Sequence, residues 1–175
     1  MKQKIIVITT GGTIEKTYDE EEGVLYNRGS QLRAMEKRLR LPYCQIQHHD
    51  LLCKDSLYMT DKDREKIHTA VSEFLAEQVP IVILHGTDTM EITAKYLYDN
   101  LPNINAAIVL TGAMKPFGFE DSDALQNFTE ALFACQILKP GIYISMHNKV
   151  HELPGVYKDK EKGTFVSKIH VERKR

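Results

Sequence analysis

Hydroxyl side chains recur in this chain at the ends of apolar runs, each time beside a glycine. Ile5–Ile8 runs into Thr9-Thr10-Gly11-Gly12-Thr13, and Ile81–Leu84 runs into His85-Gly86-Thr87-Asp88-Thr89. Ala106–Leu110 runs into Thr111-Gly112-Ala113-Met114-Lys115-Pro116. Threonine hydroxyls and backbone N–H groups gathered in one place suit oxyanion-stabilised acyl transfer. A threonine hydroxyl is a poor nucleophile at neutral pH and needs a base beside it. The Thr87-Asp88 pair with a lysine from elsewhere could supply one, because a lysine held near an acid can relay a proton. A phosphate cradle is the competing chemistry for a glycine-rich strand-to-helix turn. Neither G-x-x-x-x-G-K-[ST] nor G-x-G-x-x-G is present to support it.

For these turns to meet, the runs before them must lie side by side and parallel. The unbroken β-branched run at Ile5–Ile8 reads as a strand covered on both faces, as in a parallel sheet. Helical patterns separate the runs. Ser30 can cap a helix over Gln31–Leu39, with Leu32, Met35 and Leu39 on one face and Pro42 ending it. Thr60 and Asp63 form a capping-box pattern before a helix to about Glu77 that buries Ile67, Ala70, Val71, Phe74 and Leu75. Helices follow at Thr89–Asn100, where Asp88 with Glu91 could also act as a cap, and at Ala124–Leu138. Ile142–Met146 is a fourth apolar strand. Short strands are expected at Tyr43–Gln47, Val156-Tyr157 and Phe165–Val171. Thr17–Arg28, polar and acidic with Tyr18 and Tyr26, reads as a long binding loop or lid. Asp50–Tyr58 reads as a connection. This alternation predicts an α/β fold: a doubly wound, mostly parallel sheet with helices on both faces, a single domain over residues 1–175.

Composition narrows the partners. With 23 basic and 24 acidic side chains the net charge is −1, which gives no electrostatic case for nucleic acid or a membrane surface. The basic end, VERKR, is short enough to read as a solvated terminus. Cys44, Cys53 and Cys135 are odd in number and lack C-x-x-C spacing, so neither a disulfide framework nor a zinc site follows. His147 and His151 stand four apart without a third ligand, which argues against a metal. No signal-peptide core or membrane-length apolar run is evident, and a cytoplasmic protein is expected. His85 reads as hydrogen-bonded structure, Met59, Met90 and Met114 as packing, and Glu15 as pointing to solvent.

TGGTIE at Thr10–Glu15 and HGTDTM at His85–Met90 resemble the two signature motifs of the bacterial-type L-asparaginase family. TGAMKP at Thr111–Pro116 resembles a further segment of it. The likeness extends over most of the chain but matches only the N-terminal domain of the usual two-domain member, so a short, single-domain form is expected. The resemblance implies hydrolysis of L-asparagine to L-aspartate and ammonia with no metal or organic cofactor, in a homo-oligomer. It implies Thr13 as nucleophile, with Tyr26 from the following loop as its partner and Tyr18 as the fallback. It implies a second set of Thr87, Asp88 and Lys158, in which Lys158 is the base and Asp88 orients it and meets the substrate ammonium. Ser56 in Lys54-Asp55-Ser56 maps to the substrate-carboxylate serine, with Gly12, Asp55, Thr87 and Asp88 also in the substrate-binding set. Two departures stand out. Leu57 follows Ser56 where several members carry a polar residue, and the second domain that helps hold the substrate amino group is not expected here. Weaker binding with discrimination against glutamine is the implied outcome. An amidase for another small amide or an amino-acid ester, and a non-catalytic amino-acid-binding domain, are the alternative readings. Which threonine attacks first stays open.

Overall fold

The computed structural model describes residues 2–167. The last part of the expected Phe165–Val171 strand and the basic end at 171–175 lie outside the described residues. The chain begins with β1 (Gln3–Gly11), whose residues Ile5–Ile8 are fully buried. A short 3-10 turn at Thr13–Glu15 follows, then β2 (Lys16–Asp19) and β3 (Val24–Asn27), which pair antiparallel. The segment read as a lid loop is therefore a two-stranded hairpin. Next come α1 (Leu32–Lys37), β4 (Cys44–Lys54), a 3-10 turn at Ser56–Tyr58 and α2 (Asp61–Leu75). β4 is longer than the expected Tyr43–Gln47 strand and absorbs the first half of the expected Asp50–Tyr58 connection. Then follow β5 (Ile81–Leu84), α3 (Met90–Asn100), β6 (Ala107–Thr111), α4 (Ala124–Ile137) and β7 (Gly141–Met146). The chain closes with β8 (Lys149–Glu152), β9 (Val156–Asp159) and β10 (Thr164–Ser167).

Six strands form the central sheet in the order β4-β1-β5-β6-β7-β8. All neighbours are parallel except β7 and β8, which the sequence pattern did not separate. Side chains alternate across β1, so Ile6 and Ile8 face one core and Ile5 and Val7 the other. On the first side, α2 and α3 bring Ile67, Val71, Ala94 and Leu97 onto Ile81, Ile83, Ile108 and Ile144. On the second, α1 and α4 bring Leu32, Met35, Phe128 and Leu132 onto Val82 and Val109. Apart from Ala94, each of these buried side chains contributes about 1.5–3 kcal/mol of burial free energy. Two helices per face make this the doubly wound α/β arrangement, and the carboxyl ends of the five parallel strands open on one side.

α2 starts as its sequence implies. The Asp63 carboxylate accepts the Thr60 amide at 2.8 Å and the Thr60 hydroxyl at 2.9 Å. Lys54 donates to the same carboxylate at 2.7 Å, and chiefly through that bond its pKa falls to about 2. The end of β4 is thereby tied to the start of α2. The pair β9–β10 is a separate ribbon. Its Val156 and Phe165 enter the core on the α3 side. Thr164 and Ser167 bond to His147 and His151 at 2.9 and 2.8 Å. Among the described residues, no helix is long and apolar enough to cross a membrane.

Candidate active site

The carboxyl ends of β1 and β5 meet through glycine. A Cβ on Gly12 would fall 2.3 Å from both Cα and N of Gly86, so neither strand end tolerates a side chain there. Gly12 also has φ +80°, a conformation glycine adopts without steric cost. On its other side Gly86 touches Ser56: a Cβ there would lie 2.4 Å from the Ser56 hydroxyl. Thr13 and Thr87 each follow one of these glycines, so the close approach brings the two hydroxyl-bearing turns together. The third turn joins in register, because His85 N–H donates to the Thr111 carbonyl at 2.8 Å.

Thr87, Asp88 and Lys158 form one cluster. The Lys158 ammonium donates to the Thr87 hydroxyl oxygen at 2.8 Å and to Asp88 Oδ1 at 2.7 Å. The Lys158 side chain is 9% exposed, although it belongs to the charged run Lys158–Lys162. The β9–β10 ribbon turns it inward, while Asp88 remains 39% exposed at the mouth. The Thr87 hydroxyl in turn points to Met114 Sδ at 3.7 Å, so Met114 borders the cluster and does not merely pack. Asp88 does not cap α3: Thr89 holds that position and the Asp88 carboxylate goes to Lys158. Burial pushes the Glu91 carboxyl upward in pKa, against the pull of the Lys158 charge.

Ser56 is buried, and among the described residues its hydroxyl has no hydrogen-bond partner. A buried hydroxyl without a partner is costly, and a polar ligand group would satisfy it. Its neighbour Asp55 accepts the Leu57 amide at 3.0 Å and pairs with Lys16 at 2.6 Å. Burial raises the Asp55 carboxyl, but the Lys16 hydrogen bond and the Leu57 amide outweigh it and hold its pKa below the usual range. Leu57 itself is 65% exposed. A cavity of about 430 Å³ is lined by Lys16, Tyr26, Asn27, Lys54, Asp55 and Tyr58, and Ser56 is not among its lining residues.

Tyr26 lies on β3, and its hydroxyl donates to Asp19 rather than to Thr13. That bond raises the tyrosine pKa, with burial adding to it, and the Arg28 guanidinium sits 4.5 Å over the ring. Tyr18, the fallback, is 62% exposed. The hairpin is fixed at its foot by Asn27, whose side-chain amide donates to the Gly12 carbonyl at 2.9 Å. Sequence reading overlooked Asn27 and Lys16, because neither type announces a role outside its contact. It placed Glu15 in solvent; the residue is 1% exposed.

Two histidines are structural. His85 is fully buried, its Nδ1 on the Gly86 carbonyl and its Nε2 on the Thr93 hydroxyl, both at 2.8 Å. Burial pushes its pKa down to about 4, so the ring is neutral at physiological pH. His147 Nε2 meets Asp123 at 2.8 Å. Asp123 also accepts the amides of Met114 and Lys115, which shapes the third turn. Burial raises its carboxyl, but the Met114 amide, His147 and the Lys115 amide together bring it below the usual range.

Residues 4–168 match the family model described as asparaginase, N-terminal. The chain is 32% identical over 167 residues to the L-asparaginase of Thermococcus kodakarensis, covering 95% of this chain and 48% of that protein. The solved structure of the thermostable L-asparaginase from the same organism superposes with a TM-score of 0.84 at 30% identity, covering 94% of this chain and 51% of that one. A glutamyl-tRNA(Gln) amidotransferase component of Methanobrevibacter smithii is 27% identical over 180 residues, 99% of this chain and 39% of that protein. The chain thus spans about half or less of the length of these relatives.

Proposed function

The chain belongs to the asparaginase family through its N-terminal domain, and from that premise we propose that it hydrolyses L-asparagine to L-aspartate and ammonia through an activated threonine. The observation that carries the reading is Lys158 Nζ held between Thr87 Oγ1 and Asp88 Oδ1, beside the glycine contact that sets Thr13. In this reading the Thr13 oxygen attacks the carboxamide carbon and displaces the C=O electrons onto oxygen, where backbone N–H groups of the turns receive the charge. The tetrahedral centre collapses, the C–N bond breaks, and nitrogen leaves as ammonia carrying the proton that the Thr13 hydroxyl gave up, relayed through Tyr26 or a bound water. A water then adds to the threonine ester and releases L-aspartate. Lys158, once neutral, takes the proton of the Thr87 hydroxyl or of a water held there, and Asp88 orients the amine and meets the substrate ammonium. Tyr26 acts on Thr13 only when its hydroxyl leaves Asp19. The orphan Ser56 hydroxyl donates to the substrate α-carboxylate, with Asp55 fixing the turn beside it and Gly12 closing the site wall.

A second reading, an amidase for another small amide or an amino-acid ester, draws support from the amidotransferase relative. Ammonia release by the purified protein, compared across L-asparagine, L-glutamine and simple amides, decides between them; equal rates on all would reject the first reading. Thr13→Ala that binds asparagine without turnover supports the mechanism, and an acyl-enzyme trapped on Thr87 instead would reassign the attack.

A further inference from the structure

The chemistry above leaves the Glu15 carboxyl unused, although it lies two residues past Thr13 and is 1% exposed. Its Oε2 accepts the Gly11 amide at 2.9 Å, and its Oε1 accepts the Gln31 amide at 3.3 Å. The Ser30 hydroxyl lies close enough to the same carboxyl to favour its ionised form. Gly11 is the last residue of β1, and Gln31 is the residue that opens α1. Between them the whole β2–β3 hairpin leaves and returns. One buried side chain therefore closes the base of the ribbon that carries Tyr26. Asn27 adds a second tie at the Gly12 carbonyl, one residue from Thr13.

We propose that Glu15 is a positioning residue for this site: its carboxyl joins the glycine turn that sets Thr13 to the far root of the hairpin that carries Tyr26, so that the two are held as one unit. The proposal rests on the acyl-transfer reading for its catalytic consequence, and on geometry alone for the clasp itself.

The clasp responds to pH. Burial pushes the Glu15 carboxyl up to about 7, against the Ser30 hydroxyl and the two amides. Asp50 on β4 pushes the same way; its own Oδ1 accepts the Thr9 hydroxyl at 3.0 Å. The groups that face Glu15 from β1 and from the hairpin root are the Gly11 amide, the Ser30 hydroxyl and the Gln31 amide. Ionised, the carboxylate accepts from both amides with charge-assisted strength. Protonated, one oxygen becomes a donor and one amide loses its acceptor. Burial favours the protonated carboxyl in the fold as a whole, but with the group buried in both forms its two amide bonds are stronger when it is ionised, so the turn and the hairpin root are tied more tightly above neutrality than below it.

The test follows the Gly11 and Gln31 amides by ¹⁵N shift across a pH titration, alongside kcat and KM on L-asparagine. In the wild type both amides inflect together near pH 7, and in Glu15→Gln neither does. Glu15→Gln also loses roughly tenfold in kcat above neutrality with KM within about twofold, and its rate profile lacks the ionisation near 7. Asp50→Asn keeps Glu15 and the Thr9 contact, and shifts both the amide inflection and the acid limb of the rate to lower pH. Amides that fail to inflect in the wild type, or a Glu15→Gln enzyme with the wild-type profile and kcat, would overturn the proposal. A wild type inactive on asparagine counts against the functional reading alone, and the amide titration then decides the clasp.

Discussion

Gly12 and Gly86 stand back to back at the ends of β1 and β5, with room for no atom between them. Gly12→Ala would combine a positive φ with a Cβ 2.3 Å from the Gly86 backbone. With φ +80° and ψ −178° Gly12 lies in a region essentially confined to glycine, which costs another residue about 1–3 kcal/mol, and overpacking adds about 1–3 kcal/mol. Gly12→Ala is expected to lower stability by about that sum in a denaturant titration, and to lower kcat further because Thr13 shifts. Unchanged stability would show that the two strand ends can part freely.

Ser56→Ala separates binding from folding. The Ser56 hydroxyl has no partner among the described residues, so its removal is expected to leave the stability of the free protein unchanged or slightly higher. A hydrogen bond to a substrate carboxylate is worth about 1.5–3 kcal/mol, so KM should rise roughly tenfold to a hundredfold. Thermal melts with and without asparagine check both halves.

Lys158→Met removes the amine between Thr87 and Asp88. General-base loss typically costs about 10²–10⁴-fold, so kcat should fall by that much. Lys158→Arg keeps the charge but cannot serve as the base, and should be nearly as slow. Steady-state rates of both variants distinguish a base from a structural cation, which Arg would rescue.

Stability against pH carries two large opposed slopes, from His85 and Glu15, with a further opposed pair from Glu91, raised by burial, and His151, lowered by burial. His85 has its folded pKa depressed from 6.5 to about 4, so its contribution is present above 6.5 and is lost as pH falls toward 4. Glu15 has its folded pKa raised from 4.5 to about 7, so its contribution is present below 4.5 and is lost as pH rises toward 7. Each amounts to about 3 kcal/mol across its window. They nearly cancel between pH 4.5 and 6.5, where the wild type should be almost flat. In Glu15→Gln the histidine slope is left alone, and stability should rise with pH across that interval. Denaturant midpoints at a series of pH values check it.

The central sheet was readable because Ile5–Ile8, Ile81–Leu84 and Ala106–Leu110 are buried on both faces and so carry no polar interruption. β4 was under-read because it is an edge strand: Gln45, Gln47, His48 and Asp50 interrupt its apolar pattern. The β2–β3 hairpin and β8 were missed for a related reason, being short and largely outside the main core. Thr87, Asp88 and Lys158 were named in advance and meet within hydrogen-bond distance, Lys158 through its spacing in a family pattern rather than any local signal. Glu15 was misplaced because a charged residue type says nothing of the amides that await it. The additional capping role expected of Asp88 falls to Thr89, because a sequence shows position before a helix, not which way a carboxylate turns.

The ribbon β9–β10 gives the site a temporal order. Lys158 follows Thr87 by 71 positions and arrives on a separate pair of strands stitched to the body at His147 and His151. A chain emerging from the ribosome can settle β1, β5 and their glycine contact before that ribbon has been made. Until it docks, Thr87 and Asp88 wait without their amine, and the proposed mechanism has no base. The amine that arms the site is thus the last of its parts to be synthesised.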